Sequence, residues 1–188
     1  MPQNFSATYA IVFCAGLYLT GWLGWVIPLA VLAASDLLIT LFFYSHGSFS
    51  PGEFIINQAP NYLIYAGLIA LGRSFKSSKS WWTLTGGGIL GALLFYIVTN
   101  TGAWMTLPYA KNLAGWIQAL TRGLPGYPPT WEFFRNTLLS GGMFTGLFVG
   151  AMKLSAESKT SKEKKKEEDE DEEEEPAGEK SEPEHAKS

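Results

Sequence analysis

The stretch Glu132–Leu154, "EFFRNTLLSGGMFTGLFVGAMKL", sets Glu132, Arg135 and Asn136 at the entrance of an apolar run punctuated by glycine. At 1.5 Å per residue, such a run is long enough for the roughly 30 Å of a hydrocarbon core. A helix that enters lipid through a carboxylate, a guanidinium and an amide needs water at its mouth or neighbours that satisfy those groups. The rest of the chain decides between them.

The charges fall into two unlike pieces. Residues 1–153 carry seven Lys or Arg and three acids (Asp36, Glu53, Glu132), a formal +4, while residues 154–188 carry seven Lys and fourteen acids, a formal −7; together they make the chain's −3. Ten charges in 153 residues is far below the roughly 25% of soluble domains. Residues 1–153 therefore read as a transmembrane helical domain. Residues 154–188 read as a Lys/Glu-rich tail, disordered or only transiently helical. The single cysteine, Cys14, excludes an internal disulfide framework and a multi-cysteine metal site, and neither His46 nor His185 has a ligand partner at metal spacing. No metal and no cofactor is expected. No basic residue precedes the first apolar run, so that run is expected to stay as a helix and not be cleaved as a signal peptide.

Hydropathy along the body predicts an all-α integral membrane bundle of about six helices. Residues 5–44 are long enough for a helical hairpin, about 6–20 and 25–44, broken near Thr20–Trp25. Residues 45–59, "SHGSFSPGEFIINQA", read as a polar loop, 60–72 as a short apolar segment and 73–80 as a basic linker. A helix over 81–99 opens on a tryptophan pair suited to a bilayer interface. A shorter amphipathic helix over about 109–122, a Pro/Gly loop and a last helix over 131–153 complete the body. Topology is in conflict. The positive-inside rule puts both the linker 73–80 and Lys153 with its following lysines in the cytoplasm. Both can lie inside only if 109–122 is re-entrant or interfacial, which leaves five full spans plus a short one. Six full spans put 73–80 outside.

Several constellations stand out. "GGGILG" over Gly86–Gly91 matches a dinucleotide-binding fingerprint by letter, but it lies in a membrane helix with no acid between Glu53 and Glu132, so that reading is rejected. The useful pattern is glycine at every fourth position, Gly87 and Gly91, then Gly142, Gly146 and Gly150, which lets helices pack closely. Ser6, Ala10 and Cys14 form a further small-residue stripe that either packs internally or docks a partner. Asp36 lies inside the second helix, where a carboxylate is costly and marks either a helix-end hydrogen bond or a functional site. Glu132 and Arg135 are three apart and can pair. Asn100 and Trp104 are four apart, an amide beside an indole. Asn100, Trp104, Arg135, Asn136, Glu132 and Asp36 are thus the candidate ligand-binding residues. No nucleophile–base arrangement, phosphate loop or metal cluster occurs, so an enzyme is not expected.

The runs "FYIVTNTGAWM", "LPYAKNLAGWIQAL" and "FFRNTLLSGGMFTGLFVGA", with "NFSATYAIVFCAGLYL" and "PLAVLAASDLLI" before them, resemble a widespread, functionally uncharacterised family of bacterial multi-pass membrane proteins. In helix layout that family is similar to the substrate-capturing S components of energy-coupling-factor transporters. The resemblance implies a compact six-helix protein that binds a small molecule near the outer face. It also implies docking on an energising module or other membrane subunit through small residues of the first helix, here Ser6, Ala10 and Cys14. The expected function is a membrane substrate-binding subunit or small transporter for a small metabolite. The alternative is a membrane anchor or scaffold that recruits partners through its charged tail. Expected partners are the lipid bilayer and an unidentified small-molecule ligand, with no nucleic acid. The expected location is the bacterial inner membrane, C-terminus in the cytoplasm.

Overall fold

The structure is a computed structural model that describes residues 5–44 and 50–174. Among the described residues every regular element is helical: α1 (Thr8–Tyr18), α2 (Leu23–Ile39) continued by a π-helical turn (Thr40–Tyr44), α3 (Pro51–Ser74), α4 (Trp81–Thr106), α5 (Leu113–Thr121) and α6 (Thr130–Glu174). The chain divides into two units, Met1–Gly150 and Ala151–Ser188. His46, His185 and the tail beyond residue 174 lie outside the described residues.

Among the described residues, four helical stretches are long and apolar enough to cross a membrane: Leu23–Phe42, Phe54–Ser74, Trp81–Thr106 and Thr130–Lys166. The count of four long and two short helices matches the sequence, but one pair exchanges roles. α1 has 11 residues and rises only about 16 Å, half a hydrocarbon core. α3 has 24, so the expected loop over 45–59 and short segment over 60–72 are corrected to a helix that begins at Pro51. Proline suits a first helical turn, where its missing N–H costs nothing. Pro60 inside α3 removes one ladder bond without ending the helix.

Ser80 caps α4 by accepting from the Thr83 amide (3.4 Å), and Asn112 caps α5 by accepting from the Gly115 amide (2.9 Å). α5 then doubles back along α4. The Trp116 indole donates to the Thr101 hydroxyl (2.9 Å), and one turn deeper the Tyr96 hydroxyl donates to the Leu120 carbonyl (2.6 Å). With nine residues α5 is about 14 Å long and does not span. α6 starts beside Tyr96 and runs antiparallel to α4: Gly141 faces Ala92, and Gly146 and Gly150 face Trp81. α5 is thus the short element of the five-span alternative, although α1 is short as well. The linker after α3 and the exit of α6 from the first unit at Gly150 lie at one end of the bundle, because both adjoin Trp81.

That end is closed by the basic linker itself. The Arg73 guanidinium donates to the Gly21 carbonyl and lies over the Trp25 ring at 4.9 Å, and Lys76 donates to the Leu19 carbonyl (2.9 Å). Two cations thus cover carbonyls left open where α1 ends.

The core sits where α1 crosses α3 and α4. Phe13, Leu17, Leu84 and Val149 form one buried cluster, and Val12, Leu68 and Ile69 a second. At the crossing a β-carbon on Gly16 would stand 2.1 Å from the Ile69 carbonyl oxygen, and one on Gly72 2.1 Å from that of Phe13. The two backbones touch there. The glycines predicted to pack also face neighbours, but they face side chains: Phe13 at Gly87, Leu68 at Gly91, Ile89 at Gly142, and Trp81 at Gly146 and Gly150. Gly146 has a second tie, since its carbonyl accepts from the Trp81 indole (3.1 Å). Gly146→Leu is expected to displace that ring and cost about 1–3 kcal/mol, read as a lower thermal midpoint in detergent. Gly91→Ala, where the nearest atom stands at 3.4 Å, is expected to leave the midpoint unchanged.

The second unit is helical from Ala151 to Glu174, and its side chains are exposed through Lys166 except Lys153, which is half-buried. The part of the expected tail that the structure describes, through Glu174, therefore continues α6, as a Lys/Glu-rich sequence of good helix formers can.

Candidate functional site

Tyr96 organises the region where α4, α5 and α6 meet. Its ring packs on Phe134 with centroids 5.0 Å apart, and its buried hydroxyl reaches two carbonyls, Leu120 (2.6 Å) and Thr130 (3.2 Å). The chain between them, residues 121–129, makes its turns at Gly123 and Gly126, with φ +74° and +89°, a conformation that side chains disfavour. Beside this loop lies a cavity of about 410 Å³, lined by Asn100, Ala103 and Leu107 of α4, Tyr109, Leu124 and Tyr127 of the connections, and Thr130 and Phe133 of α6. No Lys, Arg, Asp or Glu lines it. Asn100 turns its amide N–H back to the Tyr96 carbonyl (2.8 Å), so its carbonyl oxygen remains as an acceptor. Three of the lining residues are aromatic, Tyr109, Tyr127 and Phe133, and hydroxyls stand on Tyr109, Tyr127 and Thr130.

Of the predicted site residues, only Asn100 lines this cavity. Trp104 closes the α4–α5 connection, its indole donating to the Ala110 carbonyl (2.8 Å), and Lys111 donates to the carbonyls of Trp104 and Leu107. Asn136 is buried at 8% exposure. Arg135 is exposed and its guanidinium lies 5.4 Å from the Trp131 ring centroid, so the expected inward arginine sharing a pocket with Asn100 is corrected. Glu132, half-buried, also lies off the cavity wall. The reason is helical geometry: consecutive residues point about 100° apart, so when Asn136 faces the core Arg135 faces outward.

Asp36 lies elsewhere, between α2 and α3, and accepts from the Tyr62 hydroxyl at 2.7 Å. The small-residue stripe of α1 packs internally: Ala10 and Cys14 are 1% and 6% exposed, so neither presents a face to a partner. Among the described residues, no group of three or more His, Cys, Asp or Glu is placed to hold a metal ion.

Sequence reasoning missed Tyr96, Tyr109, Tyr127, Thr130 and Phe133. The available signal was the run "GYPPTW" at Gly126–Trp131, where aromatic residues flank a proline pair in a loop. An apolar groove of about 400 Å³ between α3 and α4, lined by Leu63, Ile64, Gly67, Leu68, Leu94, Phe95 and Val98, offers no polar side chain and reads as lipid-facing surface.

No curated protein and no solved structure matches the chain. A family model, "Family of unknown function (DUF6580)", matches residues 1–165, and the chain belongs to that family.

Proposed function

We propose that the protein is a membrane substrate-binding subunit or small transporter, and that it takes an uncharged small metabolite into the cavity beside Tyr96. The observation that carries this reading is the cavity itself. Its volume of about 410 Å³ falls in the range of small-molecule sites, and its few polar groups stand among aliphatic and aromatic side chains in the manner of such sites. An ionised ligand would leave its charge unpaired there, so the ligand class is neutral and at least partly aromatic. The helix-layout similarity to S components of energy-coupling-factor transporters belongs to this proposal. Orientation does too. Arg73, Lys76 and Lys79 mark one end of the bundle, and the sequence past Gly150 continues into Lys153, Lys159 and Lys162. The positive-inside rule assigns that end to the cytoplasm, which puts the cavity toward the outer face.

Two measurements test the reading. Wild-type protein purified in lipid nanodiscs is expected to carry a small molecule, identified by mass spectrometry, that Ala103→Trp lacks because the indole fills the cavity. Arg135→Leu, off the cavity wall, is expected to keep it. Identical small-molecule content in wild type and Ala103→Trp would leave the scaffold reading, which rests on the exposed helical residues of the second unit. A reporter fused after Ser188 is expected to be active in the cytoplasm, and periplasmic activity would reverse the orientation.

A further inference from the structure

α2 is the most apolar of the four candidate spans, with a mean hydropathy of 2.1, and the least covered, with 6% of an 18-residue apolar window buried against 39% for the windows of α4 and of α6. It nevertheless carries a carboxylate. Asp36 lies about 9 Å along the helix from Phe42, well inside the span. A carboxylate at that depth is costly unless a partner meets it, and the Tyr62 hydroxyl supplies one neutral hydrogen bond to one of its two oxygens. Among the described residues no countercharge is placed against Asp36. Residues 1–72 contain no Lys or Arg, and neither does α4. Arg73 is engaged at the opposite end of the bundle, Lys111 on helix-end carbonyls and Arg135 on Trp131. Around Asp36 the outer face of α2 is bare: Val31 is 57% exposed and Leu38 54%, and Ser35 bonds back to the Val31 carbonyl (2.9 Å).

We propose that α2 is a docking helix for a second membrane protein, and that a lysine or arginine on one of that partner's transmembrane helices meets Asp36. Charge complementarity selects this occupant. A second copy of the chain would set Asp36 against another carboxylate or an apolar face. A lipid ammonium stays at the interface, about 9 Å from the carboxylate. Ala10 and Cys14 of α1 are buried, whereas the outer face of α2 is bare.

The test uses the full chain, donor-labelled, in phosphatidylcholine vesicles with an acceptor-labelled synthetic leucine–alanine helix. The probe helix carries one lysine about 9 Å from its outer end, and a control has leucine there. Energy transfer is expected at about tenfold lower peptide density for the lysine helix. Asp36→Asn, which can still accept from Tyr62, is expected to erase that preference at an unchanged thermal midpoint, and Asp36→Glu to retain it. Equal association of the lysine and leucine helices with wild type overturns the proposal without reference to any variant. A preference that survives in Asp36→Asn overturns it as well. Asp36-dependent transfer between two labelled copies without peptide would make a second copy the occupant. Loss of the lysine preference on adding phosphatidylethanolamine would make it a lipid headgroup. Either result refutes the partner helix.

Discussion

Gly72→Ala and Gly16→Ala are each expected to destabilise the bundle strongly. At both sites the new methyl carbon would stand 2.1 Å from a carbonyl oxygen of the facing helix, Phe13 for Gly72 and Ile69 for Gly16. A clash with a flexible side chain is relieved by a rotamer change. A clash with backbone is relieved only by moving a helix. Separating α1 from α3 would also open the two clusters built around Phe13 and Ile69, so the cost is placed at about 3 kcal/mol, the upper part of the overpacking range. The control lies on the same helix. Gly67 has nothing within 4 Å of its added carbon, and alanine there improves helix propensity by up to about 1 kcal/mol. Thermal midpoints in one detergent are expected to rank Gly67→Ala at or above wild type and the other two far below. Equal midpoints for all three would show that α1 and α3 do not touch through their backbones.

This contact shows where the sequence stops being legible. Glycines four apart announce a packing face by their spacing, and Gly142, Gly146 and Gly150 do lie along one facing α4. Gly16 and Gly72 have no such spacing, since each belongs to a different helix. Their meaning arises only when the two helices cross. The helix count and the short fifth helix followed from apolar run length and from the positions of lysine and arginine, which act locally. α3 was hidden because Pro51, Gly52, Glu53, Asn57, Gln58 and Pro60 are loop formers by composition, while the helix they open is held further along, where Leu68 and Ile69 pack with Val12 of α1. At the candidate site, Arg135 and Asn136 drew attention as an adjacent pair, yet adjacency on a helix separates side chains instead of joining them. Asn100 was legible because its amide sits in an otherwise apolar helix. The tyrosines around it were not, because aromatic residues in a Pro/Gly loop equally suit an interface belt.

Tyr96→Ala is expected to cost about 3–5 kcal/mol, the range of large aromatic truncations in a core, and to abolish retention of the copurified molecule. Tyr96 is 4% exposed and does two separable things. Its ring fills the space against Phe134, and its hydroxyl ties the Leu120 carbonyl at the end of α5 to the Thr130 carbonyl at the start of α6. Tyr96→Phe keeps the ring and deletes the tie. The Leu120 carbonyl, among the last of α5 and past the reach of the intrahelical ladder, then loses its partner, at about 1–3 kcal/mol. Because Thr130, Tyr127 and Leu124 line the cavity on the chain that this hydroxyl holds at both ends, the phenylalanine variant is expected to lose ligand more than it loses stability. A neighbouring tyrosine separates this role from a general packing effect: Tyr65 stacks on Phe95 with centroids 6.1 Å apart, away from the cavity, and Tyr65→Phe is expected to keep the molecule. Mass-spectrometric ligand content set against thermal midpoint for the three variants resolves the two contributions. If Tyr96→Phe retained the molecule in full, the loop 121–129 would hold its shape without the hydroxyl, and the cavity would owe its form to Gly123, Gly126 and the prolines between them and Thr130.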